Sequence, residues 1–392
     1  MSVLFIGGVF ACENEDEIIE NTKGYVEFSA NIFQKKLIKG FKQNKEDITI
    51  LSAPFIGSYP NRYKKMFFKG FESEQFEYRY VNFCNIWGYR NFSRAKSLKN
   101  EIKNIILKEN KSFDLILVYS AHEPFLEAAV YAKKLLPETK ICFVVPDLPQ
   151  YMNLDKNKTI IYDIFKKIDI KKMQYLMMKV DSFVVLTEQM KEVLNIGNRP
   201  YMVVEGIIEE LQDSIIVRQE VKVKSIVYAG KMNFAFGIKN LIDSFTKLKG
   251  SDYRLILCGD GDAHNYVENS CKKDKRIIFK GQVSSEIAKQ IIENASVLIN
   301  PRPNDCVYTK YSFPSKNIEY LMSGKPVIAY MLDGMPDMYA DFIEVINNNS
   351  DLTQILQKAC DEKKNQKRYE LFYAYAKKNL VAKSIAKKIL NL

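Results

Sequence analysis

The sequence predicts an α/β fold with two Rossmann-like domains, and three observations carry that reading. Short β-branched runs alternate with stretches of helical period along the chain, the pattern of parallel sheets covered on both faces. The alternation runs through one series and then begins again, with a stretch of unclear period between Glu205-Gly206 and Lys222. At roughly 150 residues per domain, 392 residues suffice for two such cores.

In the first series, Val3-Leu4-Phe5-Ile6 is apolar without alternation, as a strand buried on both faces must be. Ile48-Thr49-Ile50-Leu51, Leu115-Ile116-Leu117-Val118, Ile141-Cys142-Phe143-Val144-Val145 and Ser182-Phe183-Val184-Val185-Leu186 repeat the pattern. Helical periods at about 29–41, 96–109, 123–135, 159–179 and 187–195 separate most of them. The second series comprises Ile226-Val227-Tyr228, Arg254-Leu255-Ile256-Leu257-Cys258, Ile277-Ile278-Phe279, Val297-Leu298-Ile299 and Pro326-Val327-Ile328-Ala329. Its helices are expected at about 239–248, 263–271, 284–293 and 313–322. A long helical pattern from about 361 ends in Lys387-Lys388-Ile389-Leu390. The expected organisation is a first domain over 1–205, a second over 206–370, and a helix over 371–392 returning to the first. Open sheets of this kind bind ligands at the carboxyl ends of their strands, so two of them are expected to face an interdomain cleft.

Composition excludes several classes. With 47% hydrophobic and 27% charged residues the chain is not globally disordered. No window approaches the ~18 uncharged apolar residues of a membrane span. Met1 to Cys12 lacks a basic flank and runs into Glu13, Glu15 and Asp16, so it reads as a buried strand and not as a signal peptide. Seven cysteines without a CxxC pair fit reduced thiols in the cytosol. Two histidines cannot build a three-histidine zinc site. The formal charge of +11 favours nucleotides, polyanions or an anionic bilayer, or serves solubility alone. No helix-turn-helix or RNA-reading signature accompanies it, so nucleic acid is not an expected partner.

The most informative stretch runs from Tyr308 to Ala329. It reads as loop, helix and strand, with Ser312 as candidate N-cap, Pro314 in the first turn and Gly324 closing the helix before Pro326. A helix start presents unpaired N–H groups and a positive dipole end, a seat for phosphate to which Lys310 and Lys316 can add charge. Glu319 follows Lys316 by three residues on the same helical face. Its carboxylate can accept two hydroxyl hydrogen bonds, as from a ribose, or can simply pair with Lys316 or Lys325 on a solvated face.

Here the sequence resembles the family 4 glycosyltransferases, retaining enzymes of the GT-B fold. Their signature is an acidic residue, seven intervening residues and a Glu, then a small residue, Gly, any residue, Pro and an apolar strand. Glu319 and Ser323-Gly324-Lys325-Pro326-Val327-Ile328-Ala329 match its second half, and Tyr311 stands at the first acidic position. The resemblance implies that Glu319 holds the nucleotide ribose and that Tyr311, Ser312, Phe313 and Lys316 lie along the donor. The usual Phe-Gly pair beside the phosphates is Phe313-Pro314, and proline lacks an N–H to donate. A second match begins at Tyr228-Ala229-Gly230-Lys231-Met232 and reaches Phe236-Gly237-Ile238. The family places two cations there, aimed at the donor diphosphate; Lys231 keeps one, and Phe236 replaces the other. Lys239 reads as a solvated helix residue. Gly259 in Gly259-Asp260-Gly261, and Gly281-Gln282-Val283, end two further strands, where the resemblance implies contacts to the nucleotide base. The resemblance is specific over about 226–330 and architectural before it.

In the amino-terminal half, Gly7-Gly8 ends the first strand, where a loop without Cβ atoms lets backbone approach a diphosphate or merely turns the chain. His122-Glu123-Pro124 follows the strand 115–119, either beside the donor sugar, as the resemblance implies, or as a partly buried structural histidine. Asp147, after another strand, can bind acceptor hydroxyls or cap a turn. Basic and aromatic residues interleave from Tyr59 to Lys69 and on toward Trp87 and Tyr89-Arg90, as in a surface that docks on anionic lipid, unless the aromatics fold into the core. Phe165 to Met173 reads as a basic amphipathic helix of the same kind.

The expected protein is thus a cytosolic retaining glycosyltransferase, peripheral on the inner face of the membrane. It moves a sugar from a nucleoside diphosphate donor to a saccharide acceptor, lipid-linked and part of bacterial capsule or exopolysaccharide assembly as the resemblance implies. Lys231, Glu319 and His122 are the candidate catalytic residues, with His122 and Asp147 on the acceptor side and no metal or other cofactor. The alternatives are a catalytically silent binding subunit of the same fold and a sugar-nucleotide epimerase.

Overall fold

The computed structural model describes residues 1–24, 26–73, 78–148, 171–210, 223–347, 351–361 and 366–392. The chain divides into two compact units, Met1–Glu210 with Asn379–Leu392, and Leu211–Lys378.

The first unit is built on an eight-stranded sheet in the order Tyr201–Val203, Ser182–Val185, Lys140–Val145, Leu115–Tyr119, Ser2–Gly7, Asp47–Ser52, Tyr78–Tyr80, Glu72–Ser73. All neighbours are parallel except the last pair. Val3, Leu4, Phe5 and Ile6 have no exposed surface, which is why their run carries no polar alternation. The helices Phe28–Gln43, Arg90–Lys103 and Glu123–Leu135 cover it. The outer strands at 72–73, 78–80 and 201–203 were not legible as apolar runs; Tyr78 and Tyr80 are buried tyrosines that read as polar in sequence.

The second unit holds a six-stranded parallel sheet in the order Ile277–Phe279, Tyr253–Cys258, Lys224–Ala229, Val297–Asn300, Val327–Ala329, Glu344–Val345. Ile226, Leu255, Leu257 and Ile299 pack with Ile238, Leu241 and Phe245 of the helix Ile238–Thr246 in one core. Burial of each such side chain contributes about 1.5–3 kcal/mol.

The long terminal pattern is not one helix. It is Gln366–Asn379 followed by Ala382–Ile389, broken where Val381 turns extended. The break has a cause: the Ile208 N–H donates to the Leu380 carbonyl, and the Ala382 N–H donates to the Ile208 carbonyl, both at 2.9 Å. Ala382–Ile389 then packs on Phe28–Gln43, where a Cβ on Gly40 would lie 2.3 Å from the Ala382 carbonyl oxygen. The carboxy-terminal helix therefore belongs to the amino-terminal unit. Most of the 159–179 helix and of the basic run Phe165 to Met173 lies outside the described residues, with 171–177 helical. No helix among the described residues is long and apolar enough to cross a membrane.

Candidate active site

In the second unit the first strand, Lys224–Ala229, is flanked by the second, Tyr253–Cys258, and by the fourth, Val297–Asn300. Successive strands are added first on one side and then on the other, and such a switch point opens a crevice beyond the strand ends. Ladder pairing toward Val297–Asn300 ends at Val227 with Leu298. Beyond it, Gly237 (φ 77°) opens the helix Ile238–Thr246 so close to Pro301 that a Cβ would lie 2.1 Å from its carbonyl oxygen.

Three of the glycines marked in sequence meet at this edge. The Gly259 N–H donates to the Gly281 carbonyl at 2.8 Å, and the Gly230 N–H donates to the Cys258 carbonyl at 2.9 Å. A Cβ on Gly259 (φ 129°) would lie 1.9 Å from the Gly230 carbonyl oxygen, so both space and dihedral require glycine. The Tyr228 hydroxyl donates to the Lys231 carbonyl at 2.9 Å, fixing the backbone that carries Lys231. Gln282 is exposed and Val283 half-buried beyond Gly281.

The helix carrying Glu319 spans Ser315–Met322. Its start corrects the sequence reading: Pro314 occupies the cap position, while Ser312 stays extended and its hydroxyl accepts from Arg302 Nη2 at 3.1 Å. The Phe313 ring turns into the core against Tyr339, 5.0 Å between centroids, which leaves only its backbone to face the strand ends. Tyr320 is fully buried and bonds both backbone groups of Ala229, which pins this helix to the end of the first strand. Asn300 Nδ2 donates to Asn317 Oδ1 at 2.7 Å in a second buried tie. Glu319 and Lys316 are exposed and paired at 2.8 Å, so the carboxylate is held by the lysine one turn before it. Burial pushes the Cys258 thiol up, and the ammonium charges of Lys280 and Lys316 act against that shift.

Arg302 escaped the sequence reading. It follows the fourth strand, and its guanidinium lies over Phe236 at 5.5 Å and Tyr308 at 5.0 Å from the ring centroids. An arginine thus stacks on the phenylalanine found at position 236. The only signal was an arginine two residues beyond a strand end.

At the first unit's switch point, between Ser2–Gly7 and Leu115–Tyr119, the glycine loop is filled by protein. The Gly8 N–H donates to Gln34 Oε1 at 2.9 Å, and Cβ atoms on Gly7 and Gly8 would meet Gln34 and the Phe55 ring at 2.4 and 2.5 Å. The close approach that glycine allows is therefore to side chains. The His122 ring packs against Phe55 and Phe125. Its Nε2 lies 3.2 Å from Arg94 Nη1 and accepts, because a guanidinium can only donate, which leaves the proton on Nδ1. Burial, then the charges of Arg94 and Arg90, hold its pKa well below the usual histidine value. Asp147 follows Lys140–Val145 at an exposed position, and partial desolvation, then the Glu27 charge, pushes its carboxyl up to about 6.

The basic-aromatic segment divides its aromatics. Tyr63 and Phe68 are core residues, whereas Phe67, Trp87, Tyr89 and Phe92 are 64%, 58%, 49% and 61% exposed. Lys172, from the second basic run, is engaged with Glu123 and Glu127. Lys239 is exposed and paired with Asp243. Among the described residues no group of three His, Cys, Asp or Glu side chains could hold a metal ion.

Residues 223–361 match the family of glycosyl transferases group 1. The matched residues make up most of the carboxy-terminal unit. No curated protein matches the sequence. Among solved structures, Anabaena HepE in complex with UDP superposes with a TM-score of 0.62 at 13% identity over 100% of this chain and 99% of its own. The apo lipopolysaccharide outer core galactosyltransferase WaaB gives 0.60 at 14% identity over 100% and 98%. Sucrose-phosphate synthase from Thermosynechococcus elongatus gives 0.61 at 12% identity over 100% and 98%. The fold is therefore the two-unit GT-B fold expected from the sequence, and the glycosyl transferase match gives the enzyme class, a glycosyltransferase. Within the carboxy-terminal unit, Gly230, Lys231, Gly259, Gly281, Lys316 and Glu319 all lie at or next to the carboxyl edge of one sheet.

Proposed function

We propose that the protein is a retaining glycosyltransferase that moves a sugar from a nucleoside diphosphate donor to a hydroxyl of a lipid-linked saccharide during bacterial capsule or exopolysaccharide assembly. The observation that carries this reading is the convergence of Lys231, Lys316 and Arg302 with the Gly230, Gly259 and Gly281 backbone at one switch point. Glu319 is the ribose anchor, released from Lys316 when a diphosphate takes that lysine. The structures superposing on the chain include HepE with UDP-glucose and WaaG, a glycosyltransferase involved in lipopolysaccharide biosynthesis, which supports a nucleotide-sugar donor and a surface-polysaccharide setting.

As the bond from the anomeric carbon to the diphosphate oxygen breaks, its electron pair leaves on the diphosphate, and negative charge grows there. Lys231, Lys316, Arg302 and the amides at the start of Ser315–Met322 are the groups that meet it, with no obligatory metal. The acceptor hydroxyl attacks the same face of the sugar that the diphosphate leaves and passes its proton to a departing phosphate oxygen, which gives retention without an enzyme nucleophile. His122 and Asp147 are the acceptor-side residues of the first unit, His122 acting as a neutral imidazole. Exposed Phe67, Trp87 and Phe92, with Lys64, Lys65 and Lys69, make the first unit a peripheral partner of the cytoplasmic membrane face.

A thermal-shift panel of UDP, GDP, ADP and their sugars tests the reading, since a ligand at a hundred times its Kd stabilises the native state by about 2.7 kcal/mol. One base is expected to raise the Tm, and the matching sugar nucleotide is expected to be hydrolysed slowly without acceptor. Lys231→Met and Arg302→Met are each expected to lower turnover by roughly a hundredfold. The silent-subunit reading, which Tyr311 and Phe236 raise, requires binding without any hydrolysis or transfer; a panel without any binding contradicts both.

A further inference from the structure

The first unit contains buried positive charge that no acid neutralises. Arg94 is 1% exposed; its Nη2 donates to the Pro54 carbonyl at 2.6 Å, its Nη1 to His122, and its face covers the Phe83 ring at 4.4 Å. Its Nε is buried without a partner. One helical turn earlier, Arg90 donates from Nη1 to the Ile56 carbonyl at 3.1 Å. The next residue along that loop, Gly57, packs on Arg62, whose Cβ lies 2.3 Å from where a Gly57 Cβ would stand. Burial, then the neighbouring guanidinium in each case, lowers Arg90 and Arg94. Among the described residues no carboxylate pairs with Arg62, Arg90 or Arg94. Arginine cannot shed its proton to relieve such a site, so holding Arg94 beside Arg90, with exposed Arg62 next to them, costs stability unless an anion joins them.

Two further observations define that anion. The cluster sits at the carboxyl edge of the sheet, where Pro54 follows Asp47–Ser52 and His122 follows Leu115–Tyr119, on either side of the first strand. In sequence Arg90 stands among the exposed aromatics Trp87, Tyr89 and Phe92. A ligand complementary to both features is an amphiphile whose headgroup carries phosphate charge.

We infer that Arg62, Arg90 and Arg94 form an anion site for the phosphate or diphosphate of the lipid-linked acceptor, with the lipid chain lying on the apolar face beside Trp87. Arg62 and Arg90 contact the oxyanion, and Arg94 supplies fixed charge behind them. The inference rests on the proposed glycosyltransferase reading only for the saccharide that this lipid carries.

Trp87 is the single tryptophan of the chain and stands three residues from Arg90, so its fluorescence reports on the site directly. The full-length protein is titrated with geranyl diphosphate, inorganic pyrophosphate, geraniol and phosphatidylglycerol vesicles, without nucleotide. Geranyl diphosphate is expected to shift the emission and bind at least tenfold more tightly than pyrophosphate, with geraniol weakest. Arg90→Gln is expected to weaken it at least tenfold, and Arg62→Gln, an exposed position that leaves the core intact, at least threefold. Trp87 also lies on the proposed membrane face, so vesicles alone are expected to shift its emission; equal binding of geraniol, a vesicle response that Arg90→Gln weakens as much as it weakens geranyl diphosphate, or unchanged affinity in a folded Arg62→Gln and Arg90→Gln would each overturn the inference. A failed nucleotide panel with a positive titration would overturn the donor reading alone, and the converse would overturn only this site.

Discussion

The Tyr320 hydroxyl accepts from the Ala229 N–H at 2.8 Å and donates to the Ala229 carbonyl at 3.2 Å. Strand pairing on that side of Lys224–Ala229 has already ended at Val227, so a side chain supplies the ladder partner that the fourth strand no longer offers. The same contact sets the residue after Glu319 against the residue before Gly230. One phenol thereby ties the helix that carries Glu319 to the loop that begins at Gly230.

Replacing Tyr320 with Phe leaves both Ala229 groups buried without that partner. The expected cost is about 1–3 kcal/mol, read as a lower urea midpoint with unchanged m-value. A variant as stable as the wild type would show that Ala229 finds another partner.

Two glycine substitutions should behave differently. Gly281→Ala has a φ of 63° but nothing within 4 Å of the new Cβ, so only the left-handed strain of about 1–2 kcal/mol applies. Gly259→Ala adds a clash with the Gly230 backbone and should lower the urea midpoint further, along with nucleotide binding. Equal midpoints would mean that the Gly230 loop yields without cost.

His122 gives the pH dependence a definite sign. Its folded pKa is depressed by burial and by Arg94 and Arg90, so below about pH 6.5 the unfolded chain takes up a proton that the folded ring refuses. Stability from this residue is complete above pH 6.5 and is lost as pH falls. Unfolding of wild type and His122→Asn between pH 5 and 8 isolates it, because other titrating groups cancel in the difference. The wild type is expected to lose ground to the variant on the acid side; parallel curves would contradict a buried neutral imidazole.

The central strands were legible because complete burial demands uninterrupted apolar runs, as in Val3-Leu4-Phe5-Ile6. The outer strands and the break at Val381 were not, since both depend on partners distant in sequence, such as Ile208. That Lys231 and the glycines at 230, 259 and 281 follow strand ends, and that Glu319 lies on a helix, was legible because motif spacing reflects those element ends. Arg302 was not, because its place over Phe236 comes from two loops that only the sheet brings together. Ser312 was misread as the N-cap for a local reason: Pro314 takes the cap position and leaves Ser312 extended.

The central claim is that Glu319 grips the ribose while Lys231 and its neighbours grip the diphosphate. Isothermal titration of wild type and Glu319→Ala with pyrophosphate, and with the nucleoside diphosphate selected by the panel, separates those two grips. The expected result is a tenfold to hundredfold loss of nucleotide affinity in Glu319→Ala, the size of one or two charge-assisted hydrogen bonds, with pyrophosphate affinity unchanged. Nucleotide affinity equal in the two proteins would contradict the claim.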